Sequence, residues 1–451
     1  MNNFKKIFIR NFVNKLIFPY IRGSNRLQYF EKLKDYQWWN QKSIEEFQRK
    51  KLFRLIDFAY ENNSYYRNII EDRNIDYSKN TIFQDLKKIP VLTKQDLRDS
   101  FDELKSNNFD EKYYKNTSGG STGRPVVFLQ DSTYRDWNAA GKLLFYDWAG
   151  AKPEDKIIKL WGSKRDVEKG GQGLRGFLVR HLVNTKVLDT FKMSDSDMEN
   201  YLQIINEERP EVIEAYVQSI FEMANYIREK DKEVFSPNGL ITSAGMLYSD
   251  VEDMLEEIFK TSVYNRYGSR EVGDIACSCC SSRSLHINQF FNLVEIKKND
   301  TSDKFGDVLV TNLHNKIMPL IRYKIGDKAT KKVSSDCECG RELEQIERLK
   351  GREVNMFINK EGERIDGEYF THLMYYKNGV ERFQFVQKQV DKIILKVQPK
   401  QSLSKKEEKS IRRKVKGVMG KDCELIVEEK DRINPTDSGK HLYTISRVDK
   451  D

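Results

Sequence analysis

Between Asn116 and Pro125 the chain reads Asn-Thr-Ser-Gly-Gly-Ser-Thr-Gly-Arg-Pro. Gly119, Gly120 and Gly123 let the backbone come close to an anion and turn its N–H groups toward it. Thr117, Ser118, Ser121 and Thr122 add hydroxyl donors, and Arg124 adds charge. Such a loop can hold a triphosphate. It is not a Walker A loop, because no Gly-Lys-[Ser/Thr] ends it. The plainer alternative for the same residues is a solvated Gly/Ser hairpin or linker.

A second run, Asn265-Arg266-Tyr267-Gly268-Ser269-Arg270-Glu271, follows strand-like residues. Its polar groups would stand at a strand's C-terminal end, where open α/β sheets bind ligands. The face of Tyr267 can stack on adenine, and Glu271 can reach a phosphate-bound Mg²⁺. In Arg322-Tyr323-Lys324-Ile325-Gly326-Asp327 the last carboxylate can accept from both hydroxyls of a ribose. Gly351-Arg352 and Ser438-Gly439-Lys440 complete the set. No Ser–His–Asp or Cys–His nucleophile arrangement is apparent, and Asp/Glu pairs are too common to mark glycosidase acids. His181 and His314 are expected to be structural.

The elements that would position these motifs follow from the apolar pattern. Short apolar runs at 156–161, 212–215, 239–243, 263–267 and 308–311 alternate with helical patterns at 197–208, 220–230 and 250–260. That alternation predicts α/β layers with a largely parallel sheet, followed by a β-rich stretch from about 286 to 333. Residues 27 to about 75 read as helical, ended by Asn62-Asn63-Ser64, and Thr93 is placed to cap a helix beginning at Lys94. After Gly351-Arg352 come a strand-like run at 383–397, a charged helix at 405–419 and a strand at 424–429. The expected organisation is a large domain over 1–350, with a helical part at 1–75, and a small α+β domain over 351–451, hinged near 350.

Length and charge narrow the class. A chain of 451 residues predicts two to three domains. Lys and Arg number 78 against 69 Asp and Glu. That modest excess suits phosphate handling or contact with anionic lipid and does not indicate nucleic acid, for which no motif appears. The basic residues Lys5, Lys6, Arg10, Lys15, Arg22 and Arg26 precede any acid, and Phe4, Ile7, Phe8, Phe12, Val13, Leu16, Ile17 and Phe18 lie between most of them. Over residues 1–25 two structures fit: a basic amphipathic helix on the inner membrane surface, or a helix packed on the body with its basic face in water. The second is preferred. A signal peptide is not expected, because charge breaks the apolar stretch. Five of six cysteines fall in two tight groups, Cys277, Cys279 and Cys280, then Cys337 and Cys339. This is unlike a secreted disulfide framework and predicts a cytoplasmic protein.

The five motifs, in this order and at these separations, resemble the adenylate-forming enzymes. Within them the likeness is to the phenylacetate–coenzyme A ligase branch, and to its CapK-type members associated with bacterial surface polysaccharide synthesis. It runs from about residue 35 to the C-terminus and includes Trp38, Trp39 and Tyr65-Tyr66-Arg67. The implied fold is α/β, a large N-terminal adenylate-forming domain of layered sheets and helices plus the small C-terminal domain. The implied reaction is ATP-dependent activation of a carboxylic acid as acyl-adenylate, with pyrophosphate released. Acyl transfer follows, to coenzyme A or to an amine or hydroxyl acceptor.

Site roles follow from the resemblance residue by residue. Thr117, Ser118, Gly119, Gly120, Ser121, Thr122 and Gly123 would hold phosphates; Tyr267 and Gly268 would lie against adenine, and Ser269 would face phosphate or carboxylate. Glu271 would bind Mg²⁺, Asp327 would hold the ribose, and Arg352 would serve the nucleotide at the hinge. Lys440 would reach the α-phosphate and the attacking carboxylate. A fixed cation there also makes physical sense, because the reaction brings anions together. The acid pocket would be lined from Trp161-Gly162-Ser163, Tyr216 to Ser219 and Ser243 to Met246.

Two positions depart from the family pattern. Asn355 stands where the hinge usually has a carboxylate, and Gly245 where many relatives have glutamate. Those departures, with the basic N-terminus, motivate the competing hypothesis of a non-catalytic nucleotide-binding scaffold in a membrane-associated polysaccharide complex. Cys279, His286, Cys337 and Cys339, with Cys277 or Cys280 as substitutes, can supply four soft ligands to a structural zinc. Reduced, metal-free thiols are the alternative.

Overall fold

In the computed structural model the described residues are Lys6, Ile9, 23–107, 109–118, 126–161, 184–190, 193–298, 304–350, 356–362, 364–374, 380–399, 403–434 and 442–448. The chain divides into two compact units, Met1–Lys350 and Gly351–Asp451.

The larger unit begins with helices α1 (Arg26–Tyr36), α2 (Gln41–Asn62) and α3 (Ser64–Asp72). The expected single helical stretch is broken twice. Asn40 caps α2 by accepting from Ser43 N–H, and Asn63 both ends α2 and caps α3 by accepting from Tyr66 N–H. A short helix, Lys94–Asp99, has the predicted Thr93 cap, closed as a reciprocal capping box with Asp96.

The hairpin β1 (Tyr113–Thr117) and β2 (Val127–Asp131) leads directly into α4 (Ser132–Trp148). Asp131 is the hinge of that junction. One carboxylate oxygen accepts from Tyr134 N–H at 2.7 Å, and the other from Lys316 N–H at 2.7 Å. Apolar residues 134, 137, 140, 144 and 145 recur at helical spacing, so α4 buries two faces. Tyr134, Trp137, Ala140 and Leu144 pack with Phe30 and Leu33 of α1, and with Phe290 and Phe291. Phe145, Tyr146 and Ala149 pack on the sheet residues Ile157, Val212, Ile241 and Tyr264.

The main sheet contains β3 (Ile157–Trp161), β4 (Thr185–Asp189), β5 (Val212–Tyr216), β6 (Gly239–Ser243), β7 (Val263–Ser269), β8 (Gly273–Cys279), β9 (Ser282–Ile287), β10 (Asn292–Lys297), β11 (Gly306–Asn312), β12 (Tyr323–Lys331) and β13 (Gln345–Lys350). Their order is β10-β11-β12-β13-β9-β8-β7-β6-β5-β3-β4. The expectation of a largely parallel sheet needs correction. The β4-β3-β5-β6-β7 half is parallel, with helices α5 (Asp195–Glu208), α6 (Val217–Glu229) and α7 (Ser249–Phe259) between its later strands. From β7 to β10 every pairing is antiparallel. Parallel neighbours need a crossover of a dozen or more residues. Beyond Ser269, connections such as Arg270–Val272 and Cys280–Ser281 are too short for one.

In the smaller unit a short pair, β14 (Met356–Ile358) and β15 (Arg364–Asp366), precedes a four-stranded sheet. Its strands are β16 (Val380–Gln389), β17 (Lys392–Pro399), β18 (Glu424–Glu429) and β19 (Thr444–Ser446), in the order β18-β17-β16-β19. The run read as one strand over 383–397 is two, turning at Val390-Asp391. The amphipathic α8 (Lys405–Met419) crosses between the parallel strands β17 and β18 and buries Ile411, Val415 and Met419 against Phe385, Ile393 and Leu395. Among the described residues no helix is long and apolar enough to cross a membrane.

Candidate functional site

The phosphate-loop motif is the connection between β1 and β2. Its base is closed by a reciprocal pair: Ser118 N–H donates to Val126 O at 2.8 Å, and Val126 N–H donates to Ser118 Oγ at 2.9 Å. Thr117 pairs with Val127 in the hairpin. Gly119, Gly120, Ser121, Thr122 and Gly123 lie outside the described residues, as do Arg352, Asn355, Lys440 and His181.

This hairpin is tied to the second motif by a residue that carried no motif signal. Gln130, buried on β2, donates from Nε2 to Arg270 O at 2.8 Å and to Glu271 O at 3.2 Å. Its Oε1 accepts from Asn116 Nδ2 at 3.1 Å. One side chain therefore fixes the backbone that carries Glu271 relative to the strand that launches the loop. The Glu271 side chain is buried, and Tyr323 Oη donates to its Oε1 at 3.3 Å.

The second and third motifs meet. Tyr267 Oη donates to Asp327 Oδ2 at 2.9 Å, which joins β7 to β12. Ser269 closes β7, where its Oγ accepts from Val272 N–H at 3.4 Å. Gly268 is required by crowding at the adjacent register shift, since a Cβ there would stand 2.6 Å from Gly273 O. Arg322 of the third motif faces inward instead. It is held by Glu295 through Nε at 3.1 Å and Nη2 at 3.0 Å, and donates from Nη1 to the carbonyls of Lys87 and Ile89. These bonds hold the Pro90 link, whose Leu92 pairs with Tyr323.

Gly245 has a local packing reason. A Cβ at this position would meet Val217 Cβ at 3.1 Å, so a side chain here requires α6 to give way. Among segments expected to line the acid pocket, Trp161 and Tyr216 end β3 and β5 with ring centroids 4.1 Å apart. Gly162 and Ser163 lie outside the described residues.

Below that ring pair lies a buried charge cluster that sequence reading missed. Glu214 is fully buried and meets Lys142 at 2.8 Å, Lys159 at 2.7 Å and Arg266 at 2.6 Å, while Tyr146 Oη also donates to it. Arg266 reaches Asp274 at 3.6 Å. Burial alone would raise the Glu214 carboxyl, but Arg266, Lys142 and Lys159 hold it well below the carboxylate range. Burial and the neighbouring Arg266 pull the Lys142 ammonium down, while Glu214 opposes them. Lys159 lies inside an apolar run and had no visible partner in sequence.

The cysteine groups converge on one point. Cys279, His286, Cys337 and Cys339 present ligand atoms all within 4.8 Å of one another. Cys279 Sγ lies 3.6 Å from Cys337 Sγ, and Cys339 Sγ lies 3.5 Å from His286 Nε2. Four ligands around tetrahedral zinc stand about 3.5–3.8 Å apart when Zn–S is about 2.3 Å and Zn–N about 2.0 Å, so the donor set and spacing fit that ion. Of the three cysteines near 279, Cys277 is buried in the core under α4 and Cys280 is exposed. Burial first, then Arg341, lowers the His286 imidazole to about 4, which leaves it neutral at physiological pH. Arg341 lies over Trp38 at 4.7 Å and Trp148 at 4.4 Å, and donates to Gln37 Oε1 at 2.9 Å. The cluster thus sits where the C-terminal ends of α1 and α4 meet the β9–β13 pair.

His314 is structural, as expected: it is buried, its Nε2 lies 2.8 Å from Phe290 O, and its ring stacks on Trp137 at 4.1 Å. Lys6 pairs with Asp155 at 2.8 Å and also with Glu211, and Ile9 is buried. These contacts place Lys6 and Ile9 against the body.

Residues 357–447 match the model of the CapK C-terminal domain. Over 433 residues the chain is 24% identical to Protein CapK of Staphylococcus aureus, across 93% of this chain and 92% of that protein. It is 27% identical over 330 residues to a phenylacetate–coenzyme A ligase of Thermus thermophilus, across 69% of this chain and 71% of that one. A crystal structure of 2-hydroxyisobutyryl-CoA ligase in the postadenylation state with 2-HIB-AMP superimposes with TM-score 0.67 at 18% identity, over 88% of each chain. The resemblance to adenylate-forming enzymes, their phenylacetate–coenzyme A ligase-like branch and CapK is borne out, and so is the α/β fold class.

Proposed function

We propose that this chain is an AMP-forming acid ligase: it joins a carboxylic acid to ATP as an acyl-adenylate and then passes the acyl group to an acceptor. The acceptor is coenzyme A, or an amine or hydroxyl of a cell-envelope precursor. The likeness to phenylacetate–coenzyme A ligases supports the first, and the nearly full-length likeness to Protein CapK supports a role in surface polysaccharide synthesis.

The single observation that carries the reading is the joining of three distant motifs. Gln130 ties the β1–β2 hairpin to the Glu271 backbone, Tyr323 touches Glu271, and Tyr267 touches Asp327. In the proposed site Thr117, Ser118 and the loop to Gly123 cradle the phosphates, Tyr267 with Gly268 flanks adenine, and Asp327 holds the ribose. Ser269 faces the reacting groups, Arg352 serves the nucleotide and Lys440 the α-phosphate. A substrate carboxylate oxygen attacks the α-phosphorus; the bond to the β-bridging oxygen breaks, and pyrophosphate leaves with the electron pair. The acceptor then attacks the acyl carbon, and AMP leaves. Glu271 would hold Mg²⁺, which would supply charge neutralisation on the phosphates. Lys440 lowers the repulsion between carboxylate and α-phosphate. A zinc held by Cys279, His286, Cys337 and Cys339 would be structural.

The test is ATP-dependent pyrophosphate release with pooled carboxylic acids, hydroxylamine to trap activated acyl groups, and Lys440→Ala as control. Release with one pool, lost by orders of magnitude in Lys440→Ala while Mg-ATP still binds, is the expected result. Unchanged turnover in the variant refutes the lysine's role. Tight Mg-ATP binding with no release from any pool refutes the ligase reading in favour of a nucleotide-binding scaffold.

A further inference from the structure

The cluster under Trp161 and Tyr216 carries more charge than a purely structural ion pair needs. Its sheet face is fixed by register: Lys159 pairs with Glu214 across β3 and β5, and alternation places Trp161 and Tyr216 on that same face, two residues nearer the C-terminal ends. α4 covers this face, apolar at Phe145 and Ala149 and charged one turn earlier at Lys142. The residues therefore run from an apolar floor, through the ion cluster, to the aromatic pair at the edge where open α/β sheets take their ligands.

Three basic groups, Lys142, Lys159 and Arg266, meet two carboxylates, Glu214 and Asp274, an excess of one positive charge when Lys142 is protonated. Arg266 is nine-tenths buried or more, and its Nη1 has no hydrogen-bond partner among the described residues. An uncompensated buried cation is costly unless something neutralises it. The side chains of Lys142 and Lys159 keep 28% and 22% exposure, against none for Glu214 and 17% for Asp274, so the two lysines are the most accessible members of the cluster. The Lys142 ammonium stands 5.9 Å from the centroid of the Trp161 ring.

From this arrangement we infer that the acid taken by the site carries a second anionic group, remote from the carboxylate that is activated, and that Lys142 is the residue that reads it. This rests on the ligase reading above. Trp161 and Tyr216 flank the body of the acid, and Glu214, Lys159 and Arg266 position the Lys142 ammonium. A charge-assisted hydrogen bond of this kind is worth about tenfold to a hundredfold in discrimination.

The experiment compares dicarboxylates from succinate to adipate with monocarboxylates of matching length and with phenylacetate. Pyrophosphate release and calorimetric acid binding are both measured on the full chain, as wild type, Lys142→Met and Lys142→Arg. The wild type is expected to favour a dicarboxylate about tenfold to a hundredfold in kcat/KM. Lys142→Met should erase that preference mainly through KM, and Lys142→Arg should retain most of it. A wild-type preference for phenylacetate or monocarboxylates overturns the inference, as does a dicarboxylate preference surviving in Lys142→Met. If Lys142→Met does not fold, the wild-type ranking and Lys142→Arg still decide. Calorimetry separates the two readings. Dicarboxylate binding that disappears in Lys142→Met, without pyrophosphate release, keeps Lys142 as the residue that reads the anion and sinks the ligase reading. No dicarboxylate binding at all sinks this inference alone.

Discussion

Replacing Gln130 by leucine removes the polar head that ties the β1–β2 hairpin to the Glu271 backbone while leaving a buried side chain of similar length. Three hydrogen bonds disappear: to Arg270 O, to Glu271 O and from Asn116. An abandoned buried carbonyl costs about 1–3 kcal/mol, and each remaining bond about 0.5–1.5 kcal/mol. The sum is roughly 2–6 kcal/mol, held in one place between the hairpin and the Glu271 backbone. If even the lower end is felt in the transition state, kcat/KM falls about thirtyfold, at about 1.4 kcal/mol per tenfold. Misplacing a positioned group by 1 Å is of similar weight, about hundredfold. Pyrophosphate release measures the catalytic loss, and denaturant unfolding followed by tryptophan fluorescence measures the local cost independently. A Gln130→Leu protein with wild-type kcat/KM and an unchanged unfolding midpoint refutes the idea that this side chain couples the two motifs.

Zinc measured on purified protein should approach one ion per chain and fall toward none in Cys337→Ala, yet stay unchanged in Cys280→Ala; equal zinc in both variants removes the Cys279–His286–Cys337–Cys339 assignment. Chelation should lower the thermal midpoint of the wild type and leave that of Cys337→Ala alone. Glu252, on α7, gives a pH signature: burial holds its carboxyl up, at about 7 against an ordinary 4.5. A folded-state pKa raised in an acid costs nothing below the unfolded value and costs progressively more as pH rises through the folded one. Glu252→Gln should therefore stabilise the chain by up to about 3 kcal/mol at pH 8 and have little effect at pH 4.5; a difference independent of pH contradicts the burial argument.

Much of the frame was legible because it depends on local pattern. The apolar runs became β3, β5, β6, β7 and β11, and the charged helix and following strand fell at α8 and β18. Thr93, with Asp96 three residues later, carried a complete cap signal. Motif chemistry gave Tyr267 and Asp327 to one nucleotide without placing them in contact, and the cysteine and histidine positions gave the four-residue cluster, with Cys277 and Cys280 set aside only by burial and exposure. What stayed hidden depends on partners far away in the chain. Gln130 looks like any strand residue until Arg270 lies beside it. Lys159 and Glu214 read as interruptions of apolar strands until register sets them face to face under α4. Arg322 stands in a ligand motif, but the Pro90 link claims its guanidinium. The antiparallel half of the sheet was hidden because short buried runs do not declare direction; only the length of the connections does.

The strand β7 belongs to both halves of the sheet, bonded in parallel to β6 and antiparallel to β8. Val263–Asn265 carry the parallel ladder and Arg266–Ser269 the antiparallel one, so the strand cannot slide without breaking two ladders at once. Tyr267, Gly268 and Ser269 are therefore held in register by β8, and with them the nucleotide end proposed for them. The proposed acid end is anchored along both edges: β3 is bonded to β4 and β5, and β5 to β3 and β6. Drift among related sequences should therefore spare the backbone at either end and fall on side chains. Trp161, Tyr216 and Lys142 can be traded and the diet changed, while the seam strand, which serves every diet alike, keeps its register.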